Sequence, residues 1–415
     1  MNITTSKRGN GCHAHACASM QPGEHGHAGV ATAPNSPHVV FAGGGTGGHL
    51  FPGLATADAL TTLLGNVRIT FAGSGAAFER RHVTAAGNEY ITLRSRPLRS
   101  SPWAWPGFLA AHWQGRRQAL EFLRERRVDL VVGLGGYTSV PMTSAAATRG
   151  IPLVLLEQNA IPGRANRWLA RYATSICLGF ECAGRHFRQV AADRLLVTGT
   201  PLRVIPEESE PATSLDLRPL LVICGGSGGA RPLNLALPRV LARIKSQLGN
   251  WRVWHQTGEN GWAETLALYR QLKVDAEVVP FVPDLPRVLA QASLAVCRSG
   301  GSTLAELAAA GLPAILCPYP FAADDHQLRN AEVVVKAGAG VLVKTRPLES
   351  EAGIAELSTA VAKLVQNSEQ RQALAAAARR LARRNAATEV AQVIAHNLAL
   401  PIRAACIDAE SLRGV

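Results

Sequence analysis

What most restricts the fold of this 415-residue chain is a rhythm: short β-prone runs stop on glycine and restart as helix. Val39 to Ala42 run into Gly43, Gly44, Gly45, Thr46, Gly47 and Gly48, and apolar residues at helical spacing follow His49. The step recurs in "GLGGYTS" (Gly133 to Ser139), in "ICGGSGGA" from Ile223, and in "CRSGGST" (Cys297 to Thr303). A strand that breaks on glycine and restarts as a helix gathers backbone N–H groups and the positive end of a helix dipole at one point. Such a point suits an anion.

Between these turns, strand-like runs alternate with helical segments. "HVVFAG", "VRITFAG", "YITL", "VDLVVGLG", "IPLVLLEQ" and "SICLGF" occupy the first half. "LLVICGG", "WRVWHQTG", "AEVVPFV", "LAVCRSGG", "PAILCPYP" and "GVLVK" occupy the second. This is the βαβ pattern of parallel sheets covered on both faces. The fold class it predicts is α/β, with two Rossmann-like domains facing across a cleft. The first spans 37–204, the unpatterned, acidic and Pro-rich 205–218 is a linker, and the second spans 219–386. The stretch from Glu369 to about Leu400 reads as one long helical segment, and 387–403 is expected to return to the first domain. Residues 1–36 lack large apolar side chains and read as a disordered tail. The Cys12, His13, His15 and Cys17 cluster in that tail fits no standard zinc spacing, so no metal is predicted from it.

Hydrophobic residues make up 47% and charged residues 18%, a globular balance. No apolar run reaches the roughly 18 to 20 residues of a membrane span, and the N-terminus lacks the apolar core of a signal peptide. Eight scattered cysteines suggest a cytosolic protein rather than a disulfide framework. A net charge of +13 favours anionic partners without choosing among them.

Gly43, Gly45 and Gly48 satisfy G-x-G-x-x-G, which invites a dinucleotide. That fingerprint needs an acid at the end of the second strand, where Gly73, Ser74 and Gly75 stand, so NAD is disfavoured. No Lys-Ser/Thr pair follows the loop, so it is not a P-loop either. Five glycines in six positions exceed what a turn needs and point to close approach of a ligand.

Taken in order, "GGTGGHLFPGLA", "GLGGYTSVP", "LEQNAIPGRANRWLA", "TGTPLR", "GGSGGARPLN", "VWHQTG", "CRSGGSTLAELAAAGLPAILCPYP" and "DDHQLRNA" resemble the MurG family of glycosyltransferases. The resemblance covers about Pro37 to Ala399. It implies the glycosyltransferase B fold, UDP-N-acetylglucosamine as donor, and undecaprenyl-pyrophosphoryl-N-acetylmuramoyl-pentapeptide (lipid I) as acceptor. It also implies the cytoplasmic face of the inner membrane as location, with cell-wall and division proteins as further partners. No cofactor and no nucleic acid are expected.

By the resemblance, Glu306 accepts hydrogen bonds from the ribose hydroxyls, although Thr303-x-x-Glu306 is also a capping-box pattern. Gly301, Ser302 and Thr303 offer helix-start N–H groups to the UDP phosphates, and Ser227 a hydroxyl. Arg203 is placed to neutralise the diphosphate. Phe281 and Val282 match the strand end that reads uracil, and Gln327 matches a sugar-hydroxyl contact. Asn330, one turn on, reads equally as an ordinary polar face residue. Asn159, Thr46, Gly47 and Gly48 complete the donor set. Gly44, Gly45, Gly135, Gly136 and Tyr137 form the acceptor set.

Single displacement onto a hydroxyl needs a base and stabilisation of the departing UDP. His49, at the helix start after the glycine loop, is the candidate base, with Glu157 as the alternative. Here the chain departs from the family's His-Glu-Gln-Asn, reading Leu156-Glu157-Gln158-Asn159. There is no Asp-x-Asp pair, so no catalytic metal is expected. Arg94 to Arg127 carries Trp103, Trp105 and Trp113 with Phe108 among arginines. Leu109, Trp113, Leu120 and Leu123 fall on one face if this is helical. Leu120 and Leu123 suit the core, whereas Trp103, Trp105 and Phe108 suit an anionic headgroup interface. The competing readings are a transferase of the same fold with another acceptor, and a non-catalytic nucleotide-sugar-binding assembly factor.

Overall fold

The structure, a computed structural model, describes residues 36–97, 103, 105–203, 218–282 and 284–399. Both the tail cluster and most of the linker lie outside these residues.

Seven strands form the first sheet: β1 (His38–Gly43), β2 (Arg68–Gly73), β3 (Glu89–Thr92), β4 (Leu130–Gly135), β5 (Leu153–Glu157), β6 (Ser175–Leu178) and β7 (Leu195–Leu196). Their order is β3-β2-β1-β4-β5-β6-β7, and every pairing is parallel. Six form the second: β8 (Leu220–Cys224), β9 (Arg252–Gln256), β10 (Glu277–Val279), β11 (Leu294–Cys297), β12 (Ala314–Leu316) and β13 (Gly340–Leu342). Their order is β10-β9-β8-β11-β12-β13, again parallel. The order reverses between β1 and β4 and between β8 and β11, and ligands of such sheets sit outside the strand ends at that point. The glycine turns occupy both places.

Helices cover the sheets. The first half has α1 (Gly47–Leu64), α2 (Ala77–Ala85), α3 (Trp105–Glu125), α4 (Val140–Arg149) and α5 (Arg164–Leu169). The second has α6 (Arg231–Arg243), α7 (Lys245–Leu248), α8 (Trp262–Gln271), α9 (Leu285–Ala290), α10 (Gly301–Ala310), α11 (His326–Lys336), α12 (Glu351–Gln366) and α13 (Ser368–Leu381). A last helix, α14 (Ala386–Asn397), buries Val390, Ala391, Ile394 and Ala395 in the first half's core beside Val39, Leu54 and Leu60. The single helix expected from Glu369 is therefore two. The chain leaves helical geometry at Ala382, whose extended φ of −66° and ψ of 129° turn it toward the first half.

In α3 the buried side is Ala111, Gly115, Ala119 and Leu123, at spacing of four, with Leu120 packing beside them, while Leu109 and Trp113 on the same stripe are 59% and 62% exposed. Small residues decide this. A Cβ on Gly115 would lie 2.0 Å from the Arg94 carbonyl oxygen, so the helix seats closely only on its small face. Trp105 is the first residue of α3.

Candidate active site

The two switch points meet. Pro52 lies inside α1 and has no N–H, so the carbonyl of Gly48, four residues earlier, has no helical donor. Ser302 Oγ, from the start of α10, donates to that carbonyl at 2.8 Å. Ser227 Oγ lies 3.2 Å from where a Cβ on Gly47 would stand. A Cβ on Gly301 would fall 1.9 Å from the Gln158 carbonyl oxygen, so only glycine allows this approach. The first rim thus faces the second through Gly47, Gly48 and Gln158.

His49 sits at this junction. Its Nδ1 is 3.2 Å from Thr46 Oγ1, and its ring covers Gly135, where a Cβ would come within 3.2 Å of Nε2. Burial, helped by the nearby His326 of α11, lowers its pKa to about 4. The ring is neutral through the physiological range and able to accept a proton.

Glu157 is differently engaged. Oε1 accepts from the Asn159 N–H at 3.0 Å and from Asn159 Nδ2 at 3.1 Å. Oε2 accepts from the Gly163 N–H at 2.9 Å and from Asn166 Nδ2 at 3.0 Å. The buried carboxyl is pushed up by burial and held back by these donors. Its geometry organises the loop after β5, with all four bonds directed inward. Leu156, at the family's histidine position, is 1% exposed in the core.

Glu306 is half-buried on α10, and among the described residues nothing donates to its carboxylate. Burial raises its pKa to about 7 against the opposing charge of Arg203. The capping-box alternative does not hold, because the N-cap of α10 is Gly300 and Glu306 lies in the second turn. Ser227 is likewise no N-cap, since Ala230 takes that place before α6. Arg203 lies over the Phe51 ring at 4.9 Å. Phe281 meets His82 of α2 edge-on at 5.9 Å, and Val282 packs on the second half's core. Gln327 is half-buried and accepts from the Tyr319 N–H at 2.9 Å. Asn159 Oδ1 accepts from Asn330 Nδ2 at 3.0 Å.

Two residues that matter here, Glu79 and Thr138, carry no sequence signal. Glu79 of α2 is fully buried beneath the first glycine loop. It accepts from the N–H groups of Gly45 and Ser74 (2.8 Å for the latter) and from the Tyr90 hydroxyl. Gly45 cannot offer that N–H to a ligand while Glu79 holds it, which leaves Gly44 and the Thr46 to Gly48 segment. Nor can Glu79 serve a ribose, as a dinucleotide site would require. Gly135 and Gly136 both have positive φ, Tyr137 is 41% exposed, and the buried Thr138 Oγ1 beside them has no partner among the described residues. Only a search for acids a few residues past the strand end would have flagged Glu79.

Comparison with known proteins bears on this geometry. The N-terminal domain model of glycosyltransferase family 28 matches residues 39–178, and the C-terminal domain model matches 220–394. A Methylococcus capsulatus protein named UDP-N-acetylglucosamine–N-acetylmuramyl-(pentapeptide) pyrophosphoryl-undecaprenol N-acetylglucosamine transferase is 39% identical over 360 residues, covering 86% of this chain and 97% of its own length. The Geobacter sulfurreducens protein of the same name is 38% identical over 357 residues, 85% of this chain and 96% of its own. The crystal structure of Acinetobacter baumannii MurG matches at 28% identity with a TM-score of 0.66, covering 87% of this chain and 99% of that one. The chain belongs to the MurG family. Its fold is the two-domain glycosyltransferase architecture, and it is a glycosyltransferase. At 20% identity the kitacinnamycin glycosyltransferase, with a TM-score of 0.66, adds likeness of fold alone.

Proposed function

We propose that this transferase moves N-acetylglucosamine from UDP-N-acetylglucosamine to the C4 hydroxyl of N-acetylmuramoyl-pentapeptide on undecaprenyl pyrophosphate, with inversion. The observation that carries the site assignment is the unpartnered Glu306 carboxylate on a glycine-led helix start, closed against the rim that bears a neutral His49. Glu306 takes the ribose hydroxyls, and the Gly301 to Thr303 amides with Ser227 take the phosphates. Phe281 and Val282 flank the base, Gln327 and Asn159 face the sugar, and Arg203 offsets charge on the departing UDP. His49 removes the acceptor proton. Tyr137, Gly135, Gly136 and Gly44 line the acceptor side. Glu157 holds the loop instead of acting as base, since its lone pairs already accept four donors.

No described helix is long and apolar enough to cross a membrane. Contact with an anionic membrane surface is supported by the outer side of α3 and the residues before it. Trp103 is 94% exposed and Trp105 52%, and Phe108 stacks on His112 at 6.2 Å between centroids. Nearby, Leu109, His112, Trp113, Arg116, Trp168 and Tyr172 line a groove of about 580 Å³. Arg117 lies over Trp113 and Arg171 over Tyr172, so cations rim the aromatics as a headgroup layer requires. Peripheral attachment at the cytoplasmic leaflet lets the acceptor's lipid stay in the bilayer, where cell-wall and division proteins would meet it.

UDP release from UDP-N-acetylglucosamine, with and without a short-chain lipid I analogue, tests this assignment. Release should depend on the analogue. Binding without acceptor-dependent release would favour the non-catalytic assembly-factor reading.

A further inference from the structure

Asn330 of α11 has no exposed surface, although a side-chain amide needs partners for up to four hydrogen bonds. Its partners come from both halves of the molecule. Oδ1 accepts from the Ala160 N–H at 2.7 Å, and Nδ2 donates to Asn159 Oδ1 at 3.0 Å. Both groups belong to the loop after β5 in the first half. Nδ2 also donates to the Ser299 carbonyl at 3.0 Å, directly before the Gly300 to Thr303 turn of the second half.

The loop that Asn330 grips is otherwise held by Glu157, which accepts from Asn159, Gly163 and Asn166. It is therefore held from two sides, by Glu157 of the first half and by α11 of the second. Gln327 lies on the same helix, and its backbone carbonyl accepts from Ser299 Oγ at 2.7 Å. One turn of α11 thus touches the sugar side, the phosphate turn and the opposite domain. Outside this buried contact, Asp324, in left-handed backbone geometry, pairs with Arg164 and Arg167 at the start of α5. Such exposed pairs guide approach but contribute little to specificity. The buried amide, which fits only these partners, carries the register.

We infer that Asn330 is a positioning residue for transfer: by bonding Asn159 and Ala160 only when the halves meet, it couples donor-side closure to placement of the Asn159 to Gly163 loop. The inference rests on the transferase assignment. In an open cleft, water satisfies the same groups, so the latch can release at each turnover.

The test combines steady-state kinetics with hydrogen exchange of the Ala160 amide in the full chain. In the wild type, saturating UDP-N-acetylglucosamine should slow exchange at Ala160. Asn330→Ala and Asn330→Leu, neither of which offers an acceptor to the Ala160 N–H, should abolish that slowing and lower kcat about tenfold to a hundredfold, the scale on which a misplacement of about 1 Å acts. UDP affinity should stay within about twofold. Asn159→Ala also removes a sugar-facing amide, so it lowers kcat on its own, but its added cost in the Asn330→Ala background should be smaller than in the wild type because their shared contact is already broken. Wild-type kcat in folded variants, unchanged Ala160 exchange on donor binding, or fully multiplicative losses would overturn the inference. Failure of both variants to fold would overturn it too, making Asn330 a folding residue of the second half. A wild type that shows Ala160 slowing but no acceptor-dependent UDP release would defeat the transferase assignment and leave the coupling standing.

Discussion

The two glycine rims look alike in sequence and differ in electrostatics. Beneath the first, the buried Glu79 carboxylate already occupies the Gly45 N–H, so the loop is braced by an anion of the chain's own. At the second, the helix start of α10 is capped by Gly300 with no side-chain bond, and Glu306 stands one turn in without a donor. A braced rim is rigid and unwelcoming to a second negative charge close by. Among the described residues, the second rim has free helix-start N–H groups to offer phosphate and a carboxylate without a donor to offer hydroxyls. On the proposed assignment, similar glycine turns serve different ends: the first presents His49 and borders the donor through Thr46 to Gly48, and the second holds the UDP ribose and phosphates.

The largest effect expected from breaking this division is on kcat. His49→Ala should lower kcat by about 10²- to 10⁴-fold, the usual range for general-base catalysis. Steady-state rates with a short-chain acceptor measure it. A rise in acceptor KM with kcat intact would make His49 an acceptor ligand instead.

Glu79→Gln attacks the brace. An amide cannot accept from every donor now aimed at Glu79, and one buried group left unmatched costs about 1 to 3 kcal/mol. Urea unfolding should show that loss, while donor affinity stays within about twofold. A large fall in donor affinity at full stability would mean the first rim holds the donor.

Protonation sharpens the contrast. Glu306 has its pKa raised to about 7, so it is increasingly protonated below that value and cannot accept from both ribose hydroxyls. Donor affinity should fall roughly tenfold per pH unit below about 7, and Glu306→Gln should flatten the dependence. The linkage to stability has the opposite direction. A carboxyl raised above its unfolded value contributes stability that is present at low pH and lost as pH climbs through about 7. Replacement by Gln should therefore raise Tm at pH 8 relative to pH 5. His49, lowered to about 4, adds no titration between pH 5 and 8.

The smallest effect on turnover should come from Trp103→Ser with Trp105→Ser, which touches neither rim. Turnover of a water-soluble acceptor should stay within about twofold while sedimentation with anionic liposomes drops. Misfolding of this pair would assign the tryptophans to the core.

Much of the fold was legible because apolar runs that end on glycine are both strand and switch point: "HVVFAG" coincides with β1 from His38 to Gly43. The two-residue β7 has no pattern to read. The break between α13 and α14 hides in "ARRNAA", which suits a helix locally and turns for tertiary reasons. Thr303-x-x-Glu306 matched a cap because spacing does not reveal where a helix begins. Within the α3 stripe, the apolar spacing could not tell that Leu109 and Trp113 stay exposed, because the seat of α3 is chosen by Gly115 against Arg94, a contact between residues 21 positions apart. At the site, His49 and Glu306 stand next to glycine turns and could be named. Glu79 and Asn330 act through partners 34 and 170 residues away, which no local pattern encodes.

The division between the rims is tested most directly by titrating UDP-N-acetylglucosamine calorimetrically into Glu306→Ala and His49→Ala at pH 8. Loss of hydrogen bonds to a charged group, about 1.5 to 3 kcal/mol, should weaken donor binding roughly ten- to a hundredfold in Glu306→Ala. Binding in His49→Ala should match the wild type. Undiminished binding in folded Glu306→Ala, or a comparable loss in His49→Ala, would contradict the assignment of donor to the second rim and proton transfer to the first.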